Sequence, residues 1–213
     1  MALAPPAAIA QPPGIEPAPL LLPWDLQLTP AQFERVCQVN PEAVLELTAE
    51  GHLIVMTPTG GETSSRNGQL LFQLQVFCKR HKGWRLFDSS GGFRLPDGSV
   101  LSPDAALVLE DRWQTLSPEQ RRSFPPLCPD LVVELVSPSD EGPRGITALR
   151  RKMEQYQANG ACLGWLLLPQ ERAVEIWRVG QQGMAERLDN ASRVDGSELA
   201  EGLGLDLEEI WAV

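Results

Sequence analysis

CPDLVVELVSPSD, residues 128–140, enters an apolar run through Pro129-Asp130 and leaves it through Ser-Pro-Ser-Asp. LVVELV (131–136) is unbroken apolar sequence apart from Glu134, which predicts a central strand buried on both faces. A charge inside such a strand costs several kcal/mol unless it is paired or bound to a metal. Upstream, LSPDAALVLE (101–110) predicts a second apolar strand with the same entry, Pro103-Asp104. If the two strands are neighbours, Asp104 and Glu134 can reach one ion. Divalent cations such as Mg²⁺ take hard oxygen ligands, often one or two carboxylates completed by water and phosphate. Two close carboxylates without a metal repel, and one of them takes a proton. Taken alone, Asp104 reads equally well as a strand-entry residue after proline. Glu134 is harder to explain without a partner.

Outward from these strands the chain alternates between helical and extended patterns. TPAQFERVCQVN begins a helix with Thr29 as N-cap and Pro30 at the first position. AVLELT (43–48) and HLIVMT (52–57) flank Ala49-Glu50-Gly51 as a hairpin. After Gly60-Gly61, a long helix presents Leu70, Leu74, Phe77 and Cys78 on one face. WRLFDS (84–89) and GFRL (92–95) are short strands, with the turn PDGS (96–99) following. SPEQRRSF (117–124) is a short helix capped by Ser117. ITALRRKMEQYQANG has an apolar stripe of Leu149, Met153 and Tyr156 and ends at Asn159-Gly160. GWLLL (164–168) and AVEIWRV (173–179) form a second hairpin, and DLEEIW (206–211) is a short amphipathic stretch. The order predicts an α/β fold, a mixed central β-sheet flanked by helices. Residues 1–23, rich in Pro and Ala, read as a flexible arm outside the core; residues 24–213 read as one domain.

Composition narrows the function classes. At about 150 residues per domain, 213 residues with 43% hydrophobic content make one domain with a real core. The net charge of -10 argues against general nucleic-acid binding, which depends on Lys and Arg neutralising phosphates; a local basic face is compatible with it. Four scattered cysteines and two histidines do not match the spacing of a structural zinc site. Single cysteines without partners fit a reducing compartment, so a cytoplasmic protein is expected. The proline-broken N-terminus lacks the basic start of a secretory signal, and no apolar run reaches the ~20 residues of a membrane helix.

Other residues are candidates of lower rank. Lys152 lies beside the apolar stripe of its helix; a lysine near a metal-bound water orients it or offsets charge on a phosphate, yet periodicity alone makes it a solvated residue beside Arg150 and Arg151. Tyr156, the only tyrosine, either holds Lys152 or packs. Glu46 alternates with Leu45 and Leu47 and can point either way. Glu62 precedes the long helix, where the dipole favours a carboxylate without any function. Lys79-Arg80-His81-Lys82 suits a helix C-terminus for the same reason. Arg121, Arg122 and Arg144 are possible phosphate contacts. Walker A, Gly-x-Gly-x-x-Gly and Gly-x-Ser-x-Gly motifs are absent.

SPDAALV, PPLCPDLVVELVSPSD and LRRKMEQYQANGACLGWLLLPQERAVEIWR, in that order, closely resemble the bacterial Uma-type family of restriction endonucleases, part of the PD-(D/E)XK nuclease superfamily. MTPTGGETSSRNGQLLFQLQ and FDSSGGFRLPDGSVLSPD match its N-terminal half, so the resemblance runs from about Thr29 to the C-terminus. It implies a restriction-endonuclease-like core and a metal-dependent DNA endonuclease. Asp104 and Glu134 would ligate Mg²⁺ or Mn²⁺, and Glu62 corresponds to an acid that some superfamily members add from the first core helix. The superfamily lysine normally follows the second acid at two residues' distance. Here Val136 stands there, and the resemblance implies that Lys152 takes the role from the next helix. A homodimer is expected, because cutting both strands of a duplex needs two sites. The alternative is a catalytically inactive nuclease fold that binds nucleic acid or protein.

Overall fold

A computed structural model describes residues 23, 25–140, 143–180 and 185–213 of the chain. The Pro/Ala-rich arm, Pro23 excepted, lies outside the described residues, as do the side chains of Ser139 and Arg144. The elements, in chain order, are α1 (Pro30–Val39), β1 (Val44–Leu47), β2 (Leu53–Met56), α2 (Gly61–Arg80), β3 (Trp84–Asp88), β4 (Phe93–Arg94), β5 (Val100–Leu101), β6 (Ala105–Leu109), α3 (Glu110–Gln114), α4 (Pro118–Arg122), β7 (Leu131–Leu135), α5 (Pro143–Ala158), β8 (Leu163–Leu168), β9 (Ala173–Arg178), β10 (Glu186–Leu188), β11 (Arg193–Asp195), β12 (Gly204–Asp206) and α6 (Leu207–Trp211).

The central sheet has the order β10-β9-β8-β7-β6-β3. It is mixed: β7 pairs parallel with β8 and antiparallel with β6. LVVELV therefore is an interior strand, and all five residues of β7 are buried. Period-2 alternation assigns each residue to a face. Leu131, Val133 and Leu135 join Ala105, Leu107 and Trp165 against α2 and α6, where Leu70, Leu74, Phe77 and Ile210 meet them. Val132 and Val136 join Ala106, Leu166 and Trp177 on the opposite face, under Met153 and Tyr156 of α5. Glu134 has the parity of Val132 and Val136, so its side chain belongs to the face that α5 covers.

A smaller sheet, β2-β1-β5-β4, carries the N-terminal part. Leu45 and Leu47 of β1 pack with Phe33 of α1 and Val100, so Glu46, between them, is turned the other way. The expected caps are present: Thr29 with Gln32 on α1 and Ser117 with Gln120 on α4, both as full capping boxes with proline in the first turn. Gly160 closes α5 at φ +104, a conformation that only glycine adopts without strain.

Two features differ from the sequence expectation. LSPDAALVLE yields to helix at Glu110. The strands β10 to β12 go beyond it; at three residues each they are too short to show a period. Cys78 is half-buried and packs against the core from the expected face of α2. Gly92 lies just before β4, and a Cβ there would lie 2.9 Å from the Phe124 ring.

Candidate active site

The strand register brings the two leading acids together. Ala105 of β6 pairs with Val133 of β7, so the next step of the antiparallel ladder sets Asp104 level with Glu134. Asp104 Oδ2 accepts the backbone N–H of Leu135 at 2.8 Å, and Oδ1 accepts the Asn67 amide from α2 at 3.2 Å. Glu134 is 4% exposed. Its Oε1 takes the Lys152 ammonium at 2.9 Å and the Tyr156 hydroxyl at 3.3 Å. Oε2 has no hydrogen bond among the described residues.

Lys152 is not a solvated helix lysine. Its side chain is 13% exposed, and Nζ lies 2.8 Å from Glu46 Oε1 and 3.1 Å from the Ser102 carbonyl. With Glu134, these contacts use all three N–H donors of the ammonium. The helical period explains the placement: Leu149, Lys152 and Tyr156 follow i, i+3, i+7 and share one face, and Lys152 lies over the Tyr156 ring at 5.9 Å. Glu46, 3% exposed, also accepts the Ser102 N–H at 2.8 Å. Glu46, Asp104, Glu134 and Lys152 all line a cavity of about 990 Å³.

Glu62 does not line that cavity. Its side chain is 70% exposed and pairs with Arg66 one turn on, at 3.6 Å. The residues that sequence reasoning missed are Asn67 and Ser102, and it ranked Glu46 too low. Asn67 carries no signal, being a polar residue on a long helix. Glu46 had one: a carboxylate between two leucines in an alternating strand is either on the solvent side or in a site.

The electrostatics follow from burial. Desolvation pushes the Glu134 carboxyl up to about 8, aided by Asp104 and Glu46 and opposed by Lys152. Burial likewise raises Asp104, against the pull of the Leu135 N–H and Lys152. Burial alone would lower Lys152, but Glu134 and Glu46 more than offset it and hold the ammonium above the ordinary lysine range. Three buried acids thus lie around one ammonium, more than one cation can balance if all are ionised, and burial meets the excess by raising Glu134 and Asp104. The donor chemistry fits a hard divalent ion, with Asp104 and Glu134 supplying carboxylate oxygens and the open cavity leaving room for water and phosphate. Among the described residues, no group of three or more His, Cys, Asp or Glu side chains is placed to hold a metal ion.

A mixed sheet thus sets one acid before a central strand and a second within the next, with a lysine from the following helix beside them, in an α/β protein of nuclease-like fold. Comparison with known proteins agrees. The sequence profile of the Uma2 family, described as "Putative restriction endonuclease", matches residues 30–208, and the chain belongs to that family. A solved structure described as a "putative nuclease belonging to DUF820 from Anabaena variabilis" has the same fold at TM-score 0.68. It is 20% identical, with 87% of this chain and 98% of that chain covered. No curated protein matches the chain. No helix among the described residues is long and apolar enough to cross a membrane.

Proposed function

We propose that the protein is a metal-dependent endonuclease that hydrolyses phosphodiester bonds in DNA. The observation that carries this reading is the surplus of buried acids around Lys152, opening onto a large cavity in a nuclease-family fold. Asp104 and Glu134 would hold Mg²⁺ or Mn²⁺. When bound, the ion supplies a Lewis acid for a phosphodiester oxygen and a water of lowered pKa. The chain's own residues do the positioning. The Leu135 N–H and Asn67 fix Asp104, and the Tyr156 hydroxyl fixes Glu134. Glu46 holds Lys152, whose ammonium stays charged and draws the anionic phosphodiester into the cavity. Lys152 has no spare donor, so it touches a substrate oxygen only by exchanging one contact; the Ser102 carbonyl, the longest of the three at 3.1 Å, is the one to yield. This assigns Lys152 the part that Val136 cannot play. We further propose a cytoplasmic homodimer, with one site for each strand of a duplex.

The test is calorimetric titration with Mg²⁺ and Mn²⁺ beside a plasmid-nicking assay, on wild type, Asp104→Ala and Glu134→Ala. Metal binding and metal-dependent nicking by wild type, both lost in the variants, is the expected result. Nicking that survives in both variants would overturn it. The second reading, an inactive binding module, is favoured by Val136 and by the fully engaged ammonium; DNA binding without cutting under every metal condition would select it. Light scattering that finds only monomer would remove the dimer.

A further inference from the structure

A second cavity, of about 460 Å³, adjoins the first: Ser90, in the turn between β3 and β4, belongs to the walls of both. That turn leaves β3 at Asp88, which pairs with Ala105, the residue after Asp104. The shared wall therefore stands beside the strand entry that carries the acid. The volume lies in the range of about 300–1,000 Å³ typical of small-ligand sites, and the lining is of the same kind, aromatic with a few convergent polar groups.

Three parts of the lining are suited to a nucleotide unit. Phe87 and Phe124 are half-buried rings in its wall, and Gly92 keeps the backbone close under Phe124, where a Cβ would meet the ring at 2.9 Å. Base–aromatic stacking tolerates every base, because each has a π-face. From α4, Arg121 and Arg122 bring positive charge to a chain of net charge -10. Arg121 lies over the Trp113 ring at 5.8 Å, and its buried Nε has no partner among the described residues. Arg122 is exposed and makes no ion pair among the described residues. From α1, Glu34 adds a carboxylate acceptor and Gln38 an amide, groups that read the edge of a base.

We propose that this cavity takes one unpaired nucleobase of the strand that is cut, with Arg122 on its phosphate. The inference rests on the nuclease reading and deepens it by naming the substrate class. A base inside a perfect duplex cannot enter a side pocket without being extruded, which costs unstacking and unpairing; a base that is already unpaired avoids that cost. The preferred substrate is therefore DNA with unpaired nucleotides beside the scissile bond.

Cys37 lines the same cavity and is half-buried, whereas Cys162 is exposed and lies outside it. The full chain is treated with iodoacetamide in EDTA and again in Mg²⁺. DNA binding is followed by fluorescence anisotropy and alkylation by peptide mass. Expected is a roughly tenfold tighter affinity for a duplex with a single-stranded overhang than for a blunt one, the scale of one stacked base. At equal occupancy, the overhang alone slows alkylation of Cys37 several-fold and leaves Cys162 unchanged, and Arg122→Ala removes the affinity difference. Equal effects of the two duplexes on Cys37, or none from either while both bind, would overturn the pocket and leave the nuclease reading standing. Protection by a deoxynucleoside monophosphate alone would overturn it in favour of a free-nucleotide site. Failure to bind or cut any DNA in either buffer would bring down both.

Discussion

Two Pro-Asp steps open the two central antiparallel strands, and the backbone treats them alike. Asp104, before β6, accepts the N–H of Leu135 at the end of β7; Asp130, before β7, accepts the N–H of Leu109 at the end of β6, both at 2.8 Å. The pair is related by the local twofold of the antiparallel ladder. Their second oxygens differ. Asp130 Oδ1 meets the Arg112 guanidinium at 2.6 Å, and Arg112 also holds the Cys128 carbonyl. Asp104 Oδ1 meets only the neutral Asn67 amide, beside Glu134 and the cavity. One motif therefore serves two purposes. The acid with its own guanidinium is a structural clamp, and the acid left without one is the proposed ligand. Glu175 of β9 repeats the lesson: it is buried like Glu134, yet Arg150 and Arg187 both reach it. Burial of a carboxylate says little by itself; an unmatched charge says more.

The largest effect that separates the two steps is on activity. Asp104→Ala is expected to lose metal binding in calorimetry and to cut nicking by about a thousandfold, the several kcal/mol of transition-state stabilisation that a metal supplies. Its thermal midpoint should fall by less than that of Asp130→Ala, because relief of a carboxyl raised by burial and lacking a cation offsets part of the cost of the stranded Leu135 N–H. Asp130→Ala should retain metal binding. An equal loss of metal from both would break the distinction.

Next is the pH dependence of the metal-free protein. The Glu134 carboxyl, pushed up to about 8 by burial, ionises near ~4.3 in the unfolded chain. Between those values the folded state keeps a proton that the unfolded state has lost, so stability falls as pH rises and levels off above the folded value. Asp104, raised in the same direction, adds to the fall. Lys152, raised in the folded state, stays charged in both states across this window and contributes no slope. Urea midpoints in EDTA should decline toward pH ~8 by an amount worth a few kcal/mol, and Glu134→Gln should flatten much of the decline. A wild-type midpoint that rises over that window would mean that the site is already balanced. Adding Mg²⁺ should recover the loss at the alkaline end.

The clamp itself gives a smaller effect. Asp130→Ala strands the Leu109 N–H and frees an Arg112 that is partly in solvent. The expected cost is about 1–3 kcal/mol, chiefly the unpaired buried donor, read from denaturant midpoints with m unchanged. A neutral result would mean that water replaces the carboxylate and that the two steps differ less than their partners suggest.

Much of this was legible in the sequence because it is written in short periods. The run around Glu134 marked an interior strand, the caps marked helix starts, and the matching Pro-Asp entries marked two strands of one kind. What was hidden depends on distance. Nothing within 101–110 or 128–140 reports that Asp104 and Glu134 share a rung; only the pairing of Ala105 with Val133 in the sheet does. Nothing local separates Asp104 from Asp130 either, since Arg112 and Asn67 come from different helices. Lys152 reads as solvated when it is grouped with its neighbours Arg150 and Arg151, beside the apolar stripe rather than on it. Its i, i+3, i+7 relation to Leu149 and Tyr156 was present in the sequence. Glu46 needed the smaller sheet, whose short strands β4 and β5 have no period to read.

The smallest expected effect concerns Glu62, the acid that the family resemblance offered from the long helix. In the structure it stands in the first turn of α2, where the helix dipole favours a carboxylate, and its contact is the exposed i, i+4 pair with Arg66. Such pairs are worth well under about 1 kcal/mol. Glu62→Ala should therefore shift stability by no more than about 0.5 kcal/mol and leave the calorimetric metal affinity unchanged. Glu46→Ala removes a buried partner of Lys152 and leaves the ammonium to Glu134 and the Ser102 carbonyl, so it should slow nicking while Glu62→Ala does not. If Glu62→Ala instead weakened metal binding as much as Asp104→Ala, the first turn of α2 would have to move toward β6 when the ion binds. The site that distinguishes Asp104 from Asp130 would then be shared with an acid that now stands outside its cavity.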